Sequence, residues 1–264
     1  MNEAAAAEST CSRLTTVHLG VWSAWANRGA FESRIGRWEA ARRSFHETVR
    51  LAPEYARGYA SLGAVEQQLG LPDSAAASYQ RSIAIEPTAA AHSNLGTLLR
   101  ARGRLDDAIT NYRRALALDD RDPRVWGNLG STLMRASGRG ASSDSAHRQA
   151  ITRGAAVLEM NPKDAPFRAL LAGWRLDTGD RAGALNEIEQ CLSLAPESPD
   201  VLASATVVYE TVGARARARD CLVRALDLGY SFELIVSEPS LATLLDDPEV
   251  ARARARANAS SAQH

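Results

Sequence analysis

The sequence predicts an all-α solenoid of about six stacked helix-turn-helix hairpins, closed by a C-terminal capping segment. Three observations predict it. The first is a repeat: Pro53 and Pro87 stand 34 residues apart, as do Pro162 and Pro196, and they end the phrases VRLAP, IAIEP, LEMNP and LSLAP. Gly29 and Gly63, and Gly96 and Gly130, keep the same interval. The second is that apolar and small residues between these marks fall at helical spacing on two successive faces. The third is composition: 45% hydrophobic and 6% aromatic residues, rich in alanine and leucine, favour helices over strands.

Aligned on these marks, the chain divides into units at roughly 22–55, 56–88, 89–122, 123–164, 165–198 and 199–232. The second unit reads Tyr59, Leu62, Gly63, Glu66, Ala75, Tyr79, Ser82, Pro87; the third reads His92, Leu95, Gly96, Leu99, Ala108, Tyr112, Ala115, Asp120. The first offers Trp25, Gly29, Ala41, Phe45 and Pro53, the fifth Leu171, Ala172, Ala184, Ile188, Cys191 and Pro196, the sixth Leu202, Ala205, Tyr209, Ala218, Leu222 and Ala225. This pattern resembles the tetratricopeptide repeat over most of the chain. The resemblance implies a right-handed superhelix with a concave side.

Each element has its reason. In each unit a first helix carries the opening set, ending in the small residue represented by Gly63 or Gly96. A second helix carries the alanine and aromatic set, such as Ala75 and Tyr79. The small residues let the helices approach, and the ring fills the space beside them. A glycine follows the last turn of the first helix (Gly36, Gly70, Gly103, Gly179, Gly213), where a left-handed C-cap is wanted. Three departures are expected to weaken packing: Arg28 for a leucine, Glu66 at a bulky site, and Gly154 where unit four needs a ring.

Unit four is eight residues too long, and residues 135–148, RASGRGASSDSAHR, are predicted to be an exposed inserted loop between its helices. Residues 1–15 and 257–264 are predicted to be disordered. Two short amphipathic segments, near 233–237 and 240–256 within a cap spanning 233–256, are predicted to cover the end of the 16–232 repeat region. A narrower likeness rests on residues 150–250. The phrases LEMNPKDAPFRALLAGWRLDTGD and ALDLGYSFELIVSEPSLATLLDDPEV, with VVYETVG, resemble the C-terminal repeat region of bacterial serine/threonine kinases and adenylate-cyclase-like regulators. No catalytic domain of such proteins matches here, so no activity carries over.

The net charge is zero, from 31 basic and 31 acidic residues, which argues against a nucleic-acid or membrane-surface partner. Three scattered cysteines and five scattered histidines show no metal spacing, and no cofactor is implied. His46-Glu47 lacks the second histidine of a zinc-protease motif because Arg50 stands there, and residues 138–143 lack the lysine of a phosphate loop. The chain has no recognisable secretory leader and no run long enough to span a membrane, so a cytoplasmic location is expected.

The family resemblance implies a concave groove lined from the first helices. Carried over, these positions are Arg57, Gln67, Gln68, Ser93, Asn94, Thr97, Arg100, Arg124, Asn128, Ser131 and Arg135, a polar, mildly basic set without an acid. Asn94 and Asn128 offer donor and acceptor to an extended backbone, and the arginines suit carboxylates or phosphates. The family's carboxylate clamp is matched at Asn94 and Arg124 but not at Ala60 and Ala64. The expected function is a non-catalytic scaffold that binds a protein or peptide segment carrying acidic groups. Self-assembly into a homo-oligomer and a regulatory role in a kinase-like protein are the alternatives.

Overall fold

The computed structural model describes residues 20–236 and 238–261, and the expected disordered segment 1–15 lies outside them. Every regular element among the described residues is helical. The pairs are α1 (Trp22–Arg34) with α2 (Trp38–Leu51), α3 (Ala56–Gln68) with α4 (Pro72–Ile85), and α5 (Ala89–Ala101) with α6 (Leu105–Leu118). Then come α7 (Pro123–Ser137) with α8 (Ala141–Met160), α9 (Ala165–Asp177) with α10 (Arg181–Leu194), and α11 (Pro199–Thr211) with α12 (Arg215–Asp227). A short α13 (Phe232–Val236), a 3-10 turn (Pro239–Leu241) and α14 (Pro248–Ser261) follow. The helices divide into two compact units between Asp120 and Arg121. Within each, hairpins stack in chain order, as in a helical-repeat solenoid.

In the first unit three close approaches set the hairpin geometry. A Cβ built on Gly29, Gly63 or Gly96 would lie 2.9 Å from a ring atom of Phe45, Tyr79 or Tyr112 respectively. Ala41, Ala75 and Ala108 are fully buried beside those rings. The first helices end as the spacing predicts: Gly36, Gly70 and Gly103 take positive φ, and backbone bonds such as Leu71 N–H to Glu66 O close the turn in a Schellman cap.

Two of the expected weak points are satisfied polar contacts. Glu66 is buried and accepts a 2.6 Å hydrogen bond from Ser78 Oγ, with Arg42 Nε at 3.8 Å. Glu32, one repeat earlier, accepts the same 2.6 Å bond from Ser44 and pairs with Arg28 at 2.9 Å. A buried carboxylate needs partners, and a serine on the facing helix supplies them. Arg28 thus serves Glu32 and does not simply replace a leucine.

The second unit corrects the reading of the long repeat. Only residues 138–140 separate α7 from α8, and α8 runs through most of the expected loop. His147, fully buried, lies under Gly130, whose Cβ would meet its ring at 2.5 Å. The imidazole therefore holds the place of Phe45, Tyr79 and Tyr112. The ring that Gly154 was expected to lack comes seven residues earlier in the chain. The surplus sits at the C-terminal end of α8, which runs to Met160 over 20 residues against 14 in α2, α4 and α6. This extension is packed: Leu158 joins Ala150, Phe167, Leu171 and Trp174 in one cluster. The start of α8 is fixed by Ser143, whose hydroxyl bonds both N–H and O of Gly140.

The C-terminal cap also differs from the expectation. Residues 242–246 are turn and no helix starts before Pro248, which opens the last one, with Asp247 Oδ1 accepting from Glu249 N–H. α14 packs on α12 through the buried Val250 and Ala253, with Arg256–Asp227 and Arg219–Glu249 pairs at 2.9 Å. It continues to Ser261, past residue 257 where disorder was expected, since the alanine- and arginine-rich run contains no helix breaker.

Candidate functional site

The face built by the first helices of the first unit carries the site. Between α1 and α3 lies a hollow of about 390 Å³, lined by Ala30, Ser33, Ser61, Ala64 and Gln68, with Trp38, Phe45 and Val65 also bounding it. Ala30 and Ala64 occupy equivalent places in their repeats. Alanine at both places leaves space that longer side chains would fill. Phe45 and Val65, already buried, give the hollow an apolar floor.

The expected groove residues of this unit have different surroundings. Gln68 lines the hollow. Gln67 accepts a 3.2 Å bond from Tyr79 OH, and Thr97 bonds Ser93 O and Tyr112 OH, each at 3.1 Å. These side chains brace the buried rings. Burial and the nearby Glu66 carboxylate push the Tyr79 phenol up to about 12, so it stays protonated and keeps donating. Ser93 and Asn94 are half-buried. Arg57 is exposed, and among the described residues neither it nor Arg100 has an ion-pair partner. Arg100 Nε is buried without an acceptor.

The other four expected residues lie in the second unit. Arg124 stacks over Phe167 at 5.4 Å, Asn128 O accepts from Thr132 Oγ1 at 2.6 Å, and Arg135 is exposed at the end of α7. Ser131 Oγ lies 3.2 Å from His147 Nε2, and Asp177 Oδ2 lies 3.2 Å from the same nitrogen. This grouping has the residue types of a nucleophilic triad but not its geometry. In a triad the serine and the carboxylate use opposite ring nitrogens, whereas here both meet Nε2. Burial lowers the His147 pKa, against the raising effects of Asp144 and the Gly127 backbone. Burial, helped by the Glu238 charge and opposed by Arg139, pushes the Asp177 carboxyl up to about 6.

Sequence reasoning missed Ala30, Ser33 and Ser61, and met Ala64 only as a mismatch to the carboxylate clamp. Their signal was present, since they stand on the same face as Gln68, but alanine and serine announce a hollow only when two of them face each other across a helix pair. The buried thiols add no chemistry: burial raises both Cys191, to about 11, and Cys221. No group of metal ligands exists among the described residues, and no described helix is long and apolar enough to cross a membrane.

Comparison with known proteins agrees with this architecture. The profile described as tetratricopeptide repeat matches residues 32–90, and one described as TPR repeat matches residues 96–136. A 64-residue stretch is 39% identical to the Hsp70-Hsp90 organizing protein of Triticum aestivum, covering 24% of this chain and 11% of that protein. A 128-residue stretch is 30% identical to cellulose synthase operon protein C of Pseudomonas fluorescens (strain SBW25), covering 48% of this chain and 9% of that one. The chain thus spans about a tenth of these curated relatives. Among solved structures, the APC/C hetero-tetramer Cut9-Hcn1 superposes with a TM-score of 0.69 at 18% identity, over 97% of this chain and 46% of that one. The Pseudomonas aeruginosa protein pilF gives 0.57 at 18% identity, over 89% and 97%. The chain carries tetratricopeptide repeats and folds as a tetratricopeptide-repeat solenoid.

Proposed function

We propose that this protein is a non-catalytic binding scaffold whose first-helix face, in the unit ending at Asp120, grips a peptide segment of a partner protein. The observation that carries the reading is the hollow between α1 and α3, an apolar-floored recess on a face with no carboxylate at the outward positions of α1, α3 and α5. Arg57 and Arg100 give that face its charge. The fitting ligand is an extended or turn-forming peptide with one apolar anchor for the hollow and acidic groups for the arginines. The fold's use as an interaction module, and the likeness of one stretch to a protein named as an Hsp70-Hsp90 organizer, support the same class of activity. The narrower likeness of residues 150–250 to kinase repeat regions rests on sequence phrases alone.

Affinity capture with the full chain tests this. Wild type and an Ala64→Arg/Arg100→Glu variant are compared by quantitative mass spectrometry of what each retains. The variant fills the recess and reverses the charge, so partners should drop at least about tenfold. Equal recovery of the same partners on both would reject this face as the binding surface.

A further inference from the structure

A second hollow, of about 320 Å³, opens elsewhere in the first unit, between α4 and α6 and over α5. Its floor is Leu95 and Leu99, one wall is Ile83, and Asn111 and Arg114 come from α6. One residue of α5 departs here from three of the other first helices. The fourth residue of the first helix is Trp25 in α1, Tyr59 in α3 and Trp126 in α7, but His92 in α5. His92 is the smaller ring, and it is tied down: Asn111 Nδ2 donates to Asp107 O at 2.9 Å, which turns Oδ1 toward His92 Nδ1 at 3.0 Å. Nδ1 is therefore the donor.

The preceding repeat shows what is missing. There Arg81, on α4, lies over the Tyr59 ring at 5.8 Å and pairs with Glu54 at 3.2 Å. The equivalent of Arg81 is Arg114, the equivalent of Tyr59 is His92, and the equivalent of Glu54, two residues before the helix, is Pro87, which has no carboxylate; the next residue, Thr88, caps α5 by accepting from Ala91 N–H. Arg114 has thus lost both its ring and its carboxylate. Among the described residues it has no hydrogen-bond or ion-pair partner, while the neighbouring Arg104 is held by Asp107 at 2.6 Å.

We propose that this hollow is a binding site for a small single-ring aromatic carboxylate. The ring occupies the space that a tyrosine fills in the preceding repeat, resting on Leu95 and Leu99 with the Arg114 guanidinium over or beside it. The carboxylate takes the role that Glu54 plays for Arg81. A volume near 320 Å³ lies at the lower end of small-molecule sites and suits a one-ring compound. The site is separate from the face between α1 and α3, so its failure leaves the peptide-binding reading standing.

The test is titration calorimetry on the full chain with 3-phenylpropionate, its neutral amide 3-phenylpropionamide, and 3-cyclohexylpropionate. The acid should bind saturably at one site, and the amide and the cyclohexyl acid each about tenfold more weakly. Arg114→Gln, an exposed change that leaves the core intact, should weaken the acid more than tenfold, through loss of the ion pair and the ring contact, and the amide by less, through loss of the ring contact alone. His92→Tyr restores the residue type of the preceding repeat and should abolish binding of the acid. Absence of saturable binding, equal affinity for acid and amide, or full binding by His92→Tyr with its helicity retained would each overturn the proposal.

Discussion

Gly96 and Tyr112 show how single residues set this fold. With 2.9 Å between a built Cβ and the ring, no side chain larger than hydrogen fits without moving Tyr112, which is fully buried. Gly96→Leu should therefore destabilise the protein by about 1–3 kcal/mol, read as a lower melting temperature. An unchanged melt would mean that the helices are not in this register. This contact was legible from the 34-residue beat, because glycine and ring recur together. The His147 contact was not, because a histidine does not announce itself as the ring of a repeat, and the search for a conventional aromatic shifted the register of unit four. Its neighbour Asp177 carries a pH signature. Its folded pKa of about 6 lies above the ordinary carboxylate value, so its contribution to stability is complete below about pH 4 and is lost as pH rises through 6. Asp177→Asn does not titrate, so relative to wild type it should gain about 1–2 kcal/mol between pH 5 and pH 8, allowing for partial exposure of the side chain. Denaturant melts at the two pH values check this, and a constant difference would refute the assignment.

At the scale of elements, the long α8 is the instructive case. Glycines and serines at 138–143 read as a loop, yet Gly140 and Ser143 form a helix start, and the surplus appears as extra turns at the other end. Composition located the irregularity but not the place where length is absorbed, because a cap and a loop draw on the same residues. The packed extension makes a sharp prediction. Leu158 is buried against Phe167 and Leu171, so Leu158→Ala should cost about 2–4 kcal/mol in a urea melt. A change under about 0.5 kcal/mol is what a solvent-exposed segment would give. The same logic covers the cap, where Asp247 and Pro248 fix a boundary that periodicity alone set eight residues too early.

Taken as a whole, the molecule repeats one hairpin and varies its surface. The core positions are nearly constant, which is why the fold class could be read from the chain. The variable positions carry whatever is specific. In the first unit they leave two recesses, each traceable to residues smaller than the pattern: Ala30 and Ala64 in one, His92 in the other. A pattern read for what is present passes over such places, and several side chains expected to meet a ligand, such as Gln67 and Thr97, also brace buried tyrosines. Binding on the first-helix face is thus expected to depend on the recess and the unpaired arginines, with Gln67 and Thr97 acting through ring placement.

The most direct measurement is selection of peptides from a random phage-displayed library on the full chain, followed by titration of synthetic winners against wild type and Ala64→Arg. Acidic sequences sharing one apolar anchor are expected, with affinity falling at least about tenfold in the variant. Winners that bind both proteins equally, or that share no acidic and apolar pattern, would contradict it.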